Sequence, residues 1–348
     1  MNDIFGRKAD HLELAAKGDV GFRKSTLLEC VELIHDALPE LDFGDIDLNC
    51  NVVGKRLRAP IIIAAMTGGT ERAKRINLDL AELAEELGFG FGLGSQRAML
   101  EDEATAASFQ VRAVAPTTLV LGNIGGVQAS KLETGRVAEL VDKVGADALC
   151  VHLNPAMELI QAEGDRDFRG ILGAIASLVQ GLPCPIVVKE TGCGISVTVA
   201  RRLRAIGVRH VDVSGAGGTS WVAVEAGRAD ESRRQIGSTF REWGIPTAAS
   251  VAQCQDCGFE SIVATGGITN GLDAARAIAL GATAVGMARP VLVAYDRDGK
   301  AGARNFLLRV QTELCAAMLL CGSTDLAALR STSRLVSEPL RHWLTSPA

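Results

Sequence analysis

The sequence predicts an α/β protein built as one (β/α)8 TIM barrel, with an N-terminal extension and C-terminal helices. Three observations predict it: eight short β-rich runs, a helix-spaced segment after almost every run, and glycine or polar residues wherever a run ends. At 348 residues the chain is long enough for a single such unit, which takes roughly 250 residues. Its expected boundaries are 1–56 for the extension, 57–295 for the barrel and 296–348 for the C-terminal helical segment.

In order, the expected strands are Pro60–Ala65, Gly90–Gly94, Thr118–Asn123, Ala148–Asn154, Ile186–Glu190, His210–Ser214, Ser261–Thr265 and Ala284–Met287. Several are continuously apolar, as a strand covered on both faces requires. Leu80, Leu83 and Leu87 fall three and four apart and mark a helix face, with Glu82, Glu85 and Glu86 turned outward and Gly88 as the stop. A helical stretch around Phe306–Leu320 is expected on the outside. The polar interval from Trp221 to Trp243 is too long for a simple loop and suits a lid. An open dinucleotide-binding sheet is the rival topology, but Met66-Thr-Gly-Gly lacks the full glycine pattern that such a sheet carries after its first strand.

Composition removes several function classes. A net charge of −5, from 36 basic and 41 acidic residues, argues against nucleic acid as a partner. No run approaches the ~18 apolar residues of a membrane span, and no apolar leader follows the opening charges, so a soluble cytoplasmic protein is expected. Seven of the nine cysteines are scattered. Cys254 and Cys257 are close, without a second pair or a nearby histidine to complete a zinc site.

In such a barrel the loops after the strands converge on one mouth, so polar strand ends are the candidate site. Thr265-Gly-Gly-Ile and Gly286-Met-Ala-Arg close the last two strands and read as a phosphate cradle, completed by the N-termini of short helices expected to follow. Thr219, after Gly217 and Gly218, is placed to add a hydroxyl. Lys189 ends an apolar strand, where a bound anion or an electron-rich ligand would stabilise its charge; a salt bridge to Glu190 is the alternative. His152, Asn154 and Glu158 form a second group, followed by Glu163, Asp165 and Asp167. One or two carboxylates with phosphate oxygens suit Mg2+, while the acidic run alone is more often a solvated helix start.

Together these segments resemble the type 2 isopentenyl diphosphate isomerases, FMN-dependent flavoprotein barrels of isoprenoid biosynthesis. The resemblance spans almost the whole chain: Arg7-Lys8-x-x-His11, Ala65-Met-Thr-Gly-Gly69, Gly94-Ser-Gln-Arg97, Gly122-Asn-Ile-Gly125, His152-Leu-Asn-Pro155, Glu163-Gly-Asp-Arg-Asp-Phe168, Val188-Lys-Glu190, Ser214-Gly-Ala-Gly-Gly-Thr-Ser-Trp221 and the glycine cradle. It implies FMN held by Ala65, Met66, Thr67, Ser95, Asn123, Lys189, Ser214, Thr219, Gly266, Gly267 and Ala288. It also implies a substrate diphosphate held by Arg7, Lys8, Ser95, Gln96, Arg97, His152 and Asn154, with Mg2+ on Glu158. The implied reaction interconverts isopentenyl and dimethylallyl diphosphate with reduced FMN as acid and base, after reduction by NADPH or another donor. A homo-oligomer of four or more subunits is part of the same expectation.

One position departs from the family. Gln usually precedes the metal-binding Glu and is assigned to proton transfer, and here Met157 stands in that place. A thioether relays no proton and donates no hydrogen bond. Either the flavin does the proton work alone, His152 substitutes, or the chain catalyses another rearrangement or cyclisation of a prenyl diphosphate. An FMN-dependent oxidoreductase of the α-hydroxy-acid type is the further alternative, although Thr265-Gly-Gly-Ile stands where its His-Gly-Gly-Arg region is expected.

Overall fold

The protein's structure, a computed structural model, describes residues 4–345, without the side chains of residues 4, 5, 7–9 and 17. Eight parallel strands close into a barrel: β1 (Ile61–Ile63), β2 (Gly90–Gly92), β3 (Val120–Gly125), β4 (Ala148–Leu153), β5 (Ile186–Glu190), β6 (His210–Asp212), β7 (Ser261–Thr265) and β8 (Ala284–Met287). Closure comes from β8 on β1, with Val285, Gly286 and Met287 opposite Ile61, Ile62 and Ile63. All eight expected runs hold a strand. Some are shorter than expected because the chain turns into the mouth early; after β6, Ser214 leaves the β region at φ +36, while the Gly215 N–H still donates to Thr265 O at 2.8 Å.

The extension plugs the other end. Cys50–Val52 and Lys55–Leu57 form an antiparallel hairpin whose two-residue turn, Val53-Gly54, has positive φ at both positions. Val52, Val53 and Leu57 pack into the barrel floor against Ile62, Leu121, Val187 and Val263. The backbone N–H of Val53 donates to Ser261 Oγ at 3.2 Å. With the floor filled by apolar side chains, ligand access is left to the mouth.

The outer helices bury the second apolar layer. In Glu71–Leu87, Thr70 accepts from the Ala73 N–H, Ile76, Leu80 and Leu83 are buried, and Gly88 at φ +71 terminates the helix. Glu85 does not simply face water as expected: its carboxylate accepts from the N–H groups of Thr117 and Thr118 at 3.0 and 2.8 Å and ties the helix to the approach of β3. The interval from Trp221 to Trp243 folds as two capped helices, Trp221–Ala226 and Glu231–Phe240. The helix after β8 runs on from Arg289 to Leu320 with a bend at Asp298 and Gly299. Strand Arg334–Val336 then pairs antiparallel with Val31–Leu33 and joins the two ends of the chain.

The helix Ile4–Lys17 contributes to the mouth. Arg289 holds its end, donating to Ala15 O at 2.8 Å and Gly18 O at 2.9 Å. Leu12 is buried beneath it and contributes about 2 kcal/mol.

Candidate active site

A cavity of about 580 Å3 opens at the carboxyl ends of the barrel strands. Its volume lies within the range of small-molecule and cofactor sites. Ala65, Met66 and Thr67 line it after β1, Ser95 after β2, Asn123 from β3, Lys189 from β5, Ser214 and Thr219 after β6, Gly266 and Gly267 after β7, and Ala288 after β8. On the same cavity lie Arg97, His152, Asn154, Met157 and Glu158.

The arc from β6 to β8 fits a phosphate. Gly217, Gly266 and Gly267 all have positive φ, at +120, +110 and +75. A Cβ on Gly218 would lie 3.0 Å from Gly267 Cα, and one on Gly267 would lie 2.7 Å from Gly217 O, so backbone packs on backbone and leaves N–H groups at the cavity wall. The helix after β7 starts at Gly271, several residues beyond the cradle, and the helix after β8 is the long Arg289–Leu320 rather than the short one expected. Loop backbone therefore makes the cradle at β7, and a helix start abuts it only at Ala288. Thr67 Oγ1 is buried and has no hydrogen-bond partner among the described residues, although Thr67 itself borders the cavity.

Lys189 reaches the cavity from an interior-facing position, and its Nζ donates to the backbone oxygen of Glu190 at 2.6 Å. The alternative salt bridge to Glu190 does not form, since strand alternation sends that carboxylate the other way, to the N–H groups of Thr191 at 2.6 Å and Cys193. Burial pushes Glu190 up to about 7. The countercharge facing Lys189 is Asp212, its register partner on β6. Burial raises the Asp212 carboxyl, and Lys189 and the Ser214 N–H, at 3.0 Å, work against that rise.

On the opposite arc, Asn123 donates to Leu93 O at 3.0 Å, which leaves its Oδ1 to accept from His152 Nδ1 at 2.8 Å. His152 is thereby fixed with Nε2 as its acceptor nitrogen. Burial, with Lys189 adding to it, holds the imidazole down at about 3. Such a histidine is neutral at physiological pH and is not a ready proton donor. Glu158 is buried, with Oε1 accepting from Asn154 at 2.8 Å and Oε2 from the Asp165 N–H at 2.8 Å. The acidic run after it is not a helix start: Glu163 is exposed, while its two aspartates are paired. Asp165 pairs with Lys131 at 2.9 Å, Asp167 pairs with Arg169 at 2.6 Å, and Arg166 donates to the backbone of Glu158. Among the described residues no cluster of three or more His, Cys, Asp or Glu side chains could hold a metal. An ion at Glu158 therefore needs oxygens from ligand and water, which suits Mg2+.

Comparison with known proteins decides the family. The chain is 47% identical over 328 residues to an isopentenyl-diphosphate delta-isomerase of Synechococcus sp., covering 93% of this chain and 94% of that one. It is 41% identical to the isopentenyl-diphosphate delta-isomerases of Aeropyrum pernix, over 94% of this chain and 88% of that one, and of Methanothermobacter thermautotrophicus, over 98% and 96%. The chain belongs to the isopentenyl-diphosphate delta-isomerase family. The family model of FMN-dependent dehydrogenases matches residues 169–336, which hold the strands from β5 to β8. Solved structures of mandelate oxidase align with a TM-score of 0.65 at 19% identity, over 94% of this chain and 99% of that one, a likeness of fold.

Within this isomerase-family barrel one expected substrate residue faces elsewhere. Gln96 is the N-cap of the helix Arg97–Glu101, and that reversal turns its side chain into the barrel wall. There its Nε2 donates to Leu140 O at 2.9 Å and its Oε1 accepts from the Asn123 N–H at 2.9 Å, so Gln96 steadies Asn123 and, through it, His152. Arg97 does line the cavity and is paired with Glu101 at 3.1 Å. The side chains of Arg7 and Lys8 lie outside the described residues. Glu225, to which the motifs assign no role, is 2% exposed and accepts from His11 Nε2 at 2.8 Å, while the His11 ring stands edge-on to Trp221. Glu225 sits one helical turn after Trp221, the spacing that would have marked it.

The state of His152 has a direct readout. In histidine-labelled protein its ring is expected to keep one nitrogen signature between about pH 5 and 8, whereas an exposed histidine titrates in that range. Because the folded state favours the neutral ring, stability from this group is present above 6.5 and is lost as pH falls toward about 3. A His152 transition near neutral pH would contradict this environment.

Proposed function

We propose that the protein interconverts isopentenyl diphosphate and dimethylallyl diphosphate, with reduced FMN as cofactor and Mg2+ on the substrate diphosphate. One observation carries the reading: a single cavity has a glycine cradle with a buried lysine on one arc, and on the other the anion-binding side chains Arg97 and Asn154 beside Glu158, a carboxylate suited to a cation. The first set fits a flavin phosphate and ring, the second a diphosphate with its cation. Reduced FMN, when bound, would supply an electron-rich ring with acid–base chemistry.

The residues of this chain do the remaining work. The cradle and Thr219 would hold the cofactor phosphate, and Lys189 would offer a positive charge to the flavin. Asn154 and the Asp165 N–H fix the Glu158 carboxylate, which would hold the cation with its remaining lone pairs. His152 accepts or holds a hydrogen bond in its neutral form. Met157, with the barrel's apolar residues, gives a water-poor wall beside the alkene, where charge built up in the reaction is stabilised by fixed groups rather than by solvent. The same thioether favours a second reading, another reduced-flavin-assisted rearrangement or cyclisation of a prenyl diphosphate.

NADPH is inferred as the reductant and the cytoplasm as the location. Among the described residues no helix is long and apolar enough to cross a membrane. A homo-oligomer of four or more subunits is inferred from the family, and Ile236, Phe240 and Trp243 expose apolar surface that association of some kind would cover. Anaerobic incubation with FMN, NADPH, Mg2+ and isopentenyl diphosphate tests the reading, and dimethylallyl diphosphate is the expected product. Omitting Mg2+ or the reductant should abolish it, and bound flavin with no product would remove the isomerase. Met157→Gln is expected to raise turnover by restoring an amide beside Glu158; unchanged or lower turnover would show that the pocket uses a different proton path.

A further inference from the structure

Four side-chain amides line the cavity, those of Asn123, Gln128, Asn154 and Gln161. Three are committed to the protein: Asn123 to Leu93 and His152, Gln128 to Asp165 at 3.1 Å, and Asn154 to Glu158. Gln161 differs. It is 5% exposed, and no described residue hydrogen-bonds its side-chain amide. Its backbone is fully engaged, with N–H on Met157 O at 3.1 Å and C=O accepting from the Gly164 N–H and from Arg166. The residue is largely buried, yet its amide lines the cavity rather than being sealed in protein, so its partner there is water or a ligand.

Its position says which ligand. Gln161 follows Glu158 by three residues and Met157 by four at the end of the helix Pro155–Ile160, so all three share one face toward the cavity. Glu158 has both oxygens oriented by Asn154 and the Asp165 N–H, and Met157 offers no donor.

We propose that Gln161 is a substrate-binding residue whose side-chain N–H donates to the diphosphate beside Glu158. This rests on the isomerase reading and adds to it a diphosphate ligand outside the strand-end motifs. A hydrogen bond to a spectator diphosphate is made equally in ground and transition states, so it sets KM and leaves kcat nearly unchanged.

The test uses full-length, FMN-loaded protein. Inorganic pyrophosphate with Mg2+ is titrated by calorimetry, and KM and kcat are measured for isopentenyl diphosphate. Gln161→Met, close in shape, is expected to raise both the pyrophosphate Kd and KM by about 10- to 100-fold, the worth of a hydrogen bond to a charged group. Gln161→Glu keeps the length and polarity, serves if the first variant folds poorly, and is expected to weaken pyrophosphate at least as much. Unchanged Kd and KM in a folded variant overturn the proposal, as does a fall in kcat alone. If the unsubstituted protein neither binds pyrophosphate nor converts isopentenyl diphosphate, the isomerase reading fails first and takes this inference with it.

Discussion

Gly267→Ala is expected to give a folded barrel that purifies without flavin. Gly267 sits at φ +75, a conformation that costs an L-residue roughly 1–2 kcal/mol. The added Cβ would also press on Thr26 Cγ2 and lie 2.7 Å from Gly217 O, backbone that has no room to retreat. Relief requires the cradle to open, which moves the N–H groups away from the phosphate. A loss of about 3 kcal/mol in complementarity corresponds to roughly a 100-fold weaker Kd, and fluorescence titration with FMN reads it directly. Gly54→Ala is the control, since Gly54 has φ +79 with nothing within 4 Å of its added Cβ, and that variant should keep its flavin. Equal FMN affinity in Gly267→Ala and the unsubstituted protein would dismiss the cradle.

Lys189→Met is expected to cost about 3 kcal/mol of stability in addition to flavin retention, because it leaves the buried Asp212 carboxylate without its countercharge. The pH dependence has a definite sign. Asp212 already has a folded-state pKa above its ordinary 3.8, and loss of Lys189 raises it further. The stability tied to this group is intact at and below the unfolded-state value and is lost as pH rises through the folded one. The variant's urea midpoint should therefore approach that of the unsubstituted protein in acid and fall away toward neutrality. Lys189→Met with Asp212→Asn should recover the midpoint but not the flavin. A single variant with an unshifted midpoint would mean that Lys189 and Asp212 do not compensate each other.

Much of this architecture was legible in the sequence, because strands covered on both faces read as continuous apolar runs, as Ile61-Ile-Ile and Ile186-Val-Val do. Strand ends were legible for the same reason: polar residues stop the run where the mouth begins, and Lys189, His152 and Gly266 all line the cavity. What one strand cannot announce is which side chain across the barrel will meet it. Asp212 read as an ordinary strand residue until β6 set it against Lys189. Gln96 sits between two cavity residues, Ser95 and Arg97, yet a helix start turns it into the wall. Glu85 lies on the polar side of its helix by periodicity, but two loop N–H groups 32 and 33 residues away claim it. The floor hairpin was hidden as well, since Val52, Val53 and Leu57 are too few to form a recognisable run.

Met157 is where the sequence and the structure bear most closely on each other. The sequence identifies a missing amide, and the structure offers two neighbours in answer: a histidine held neutral and a glutamine whose amide has no partner among the described residues. Neither provides an imidazolium acid at neutral pH, and on the proposed reading reduced FMN would supply the acid and the base.

Reversible isomerisation is tested most directly by equilibration from both sides. Protein loaded with reduced FMN and Mg2+ is supplied, without oxygen, with isopentenyl diphosphate in one vessel and dimethylallyl diphosphate in another, and both are followed by proton NMR. An isomerase brings the two vessels to one ratio of the same two compounds, and that convergence is the expected result. A reaction that runs in one direction only, or a third product that accumulates in either vessel, would contradict it.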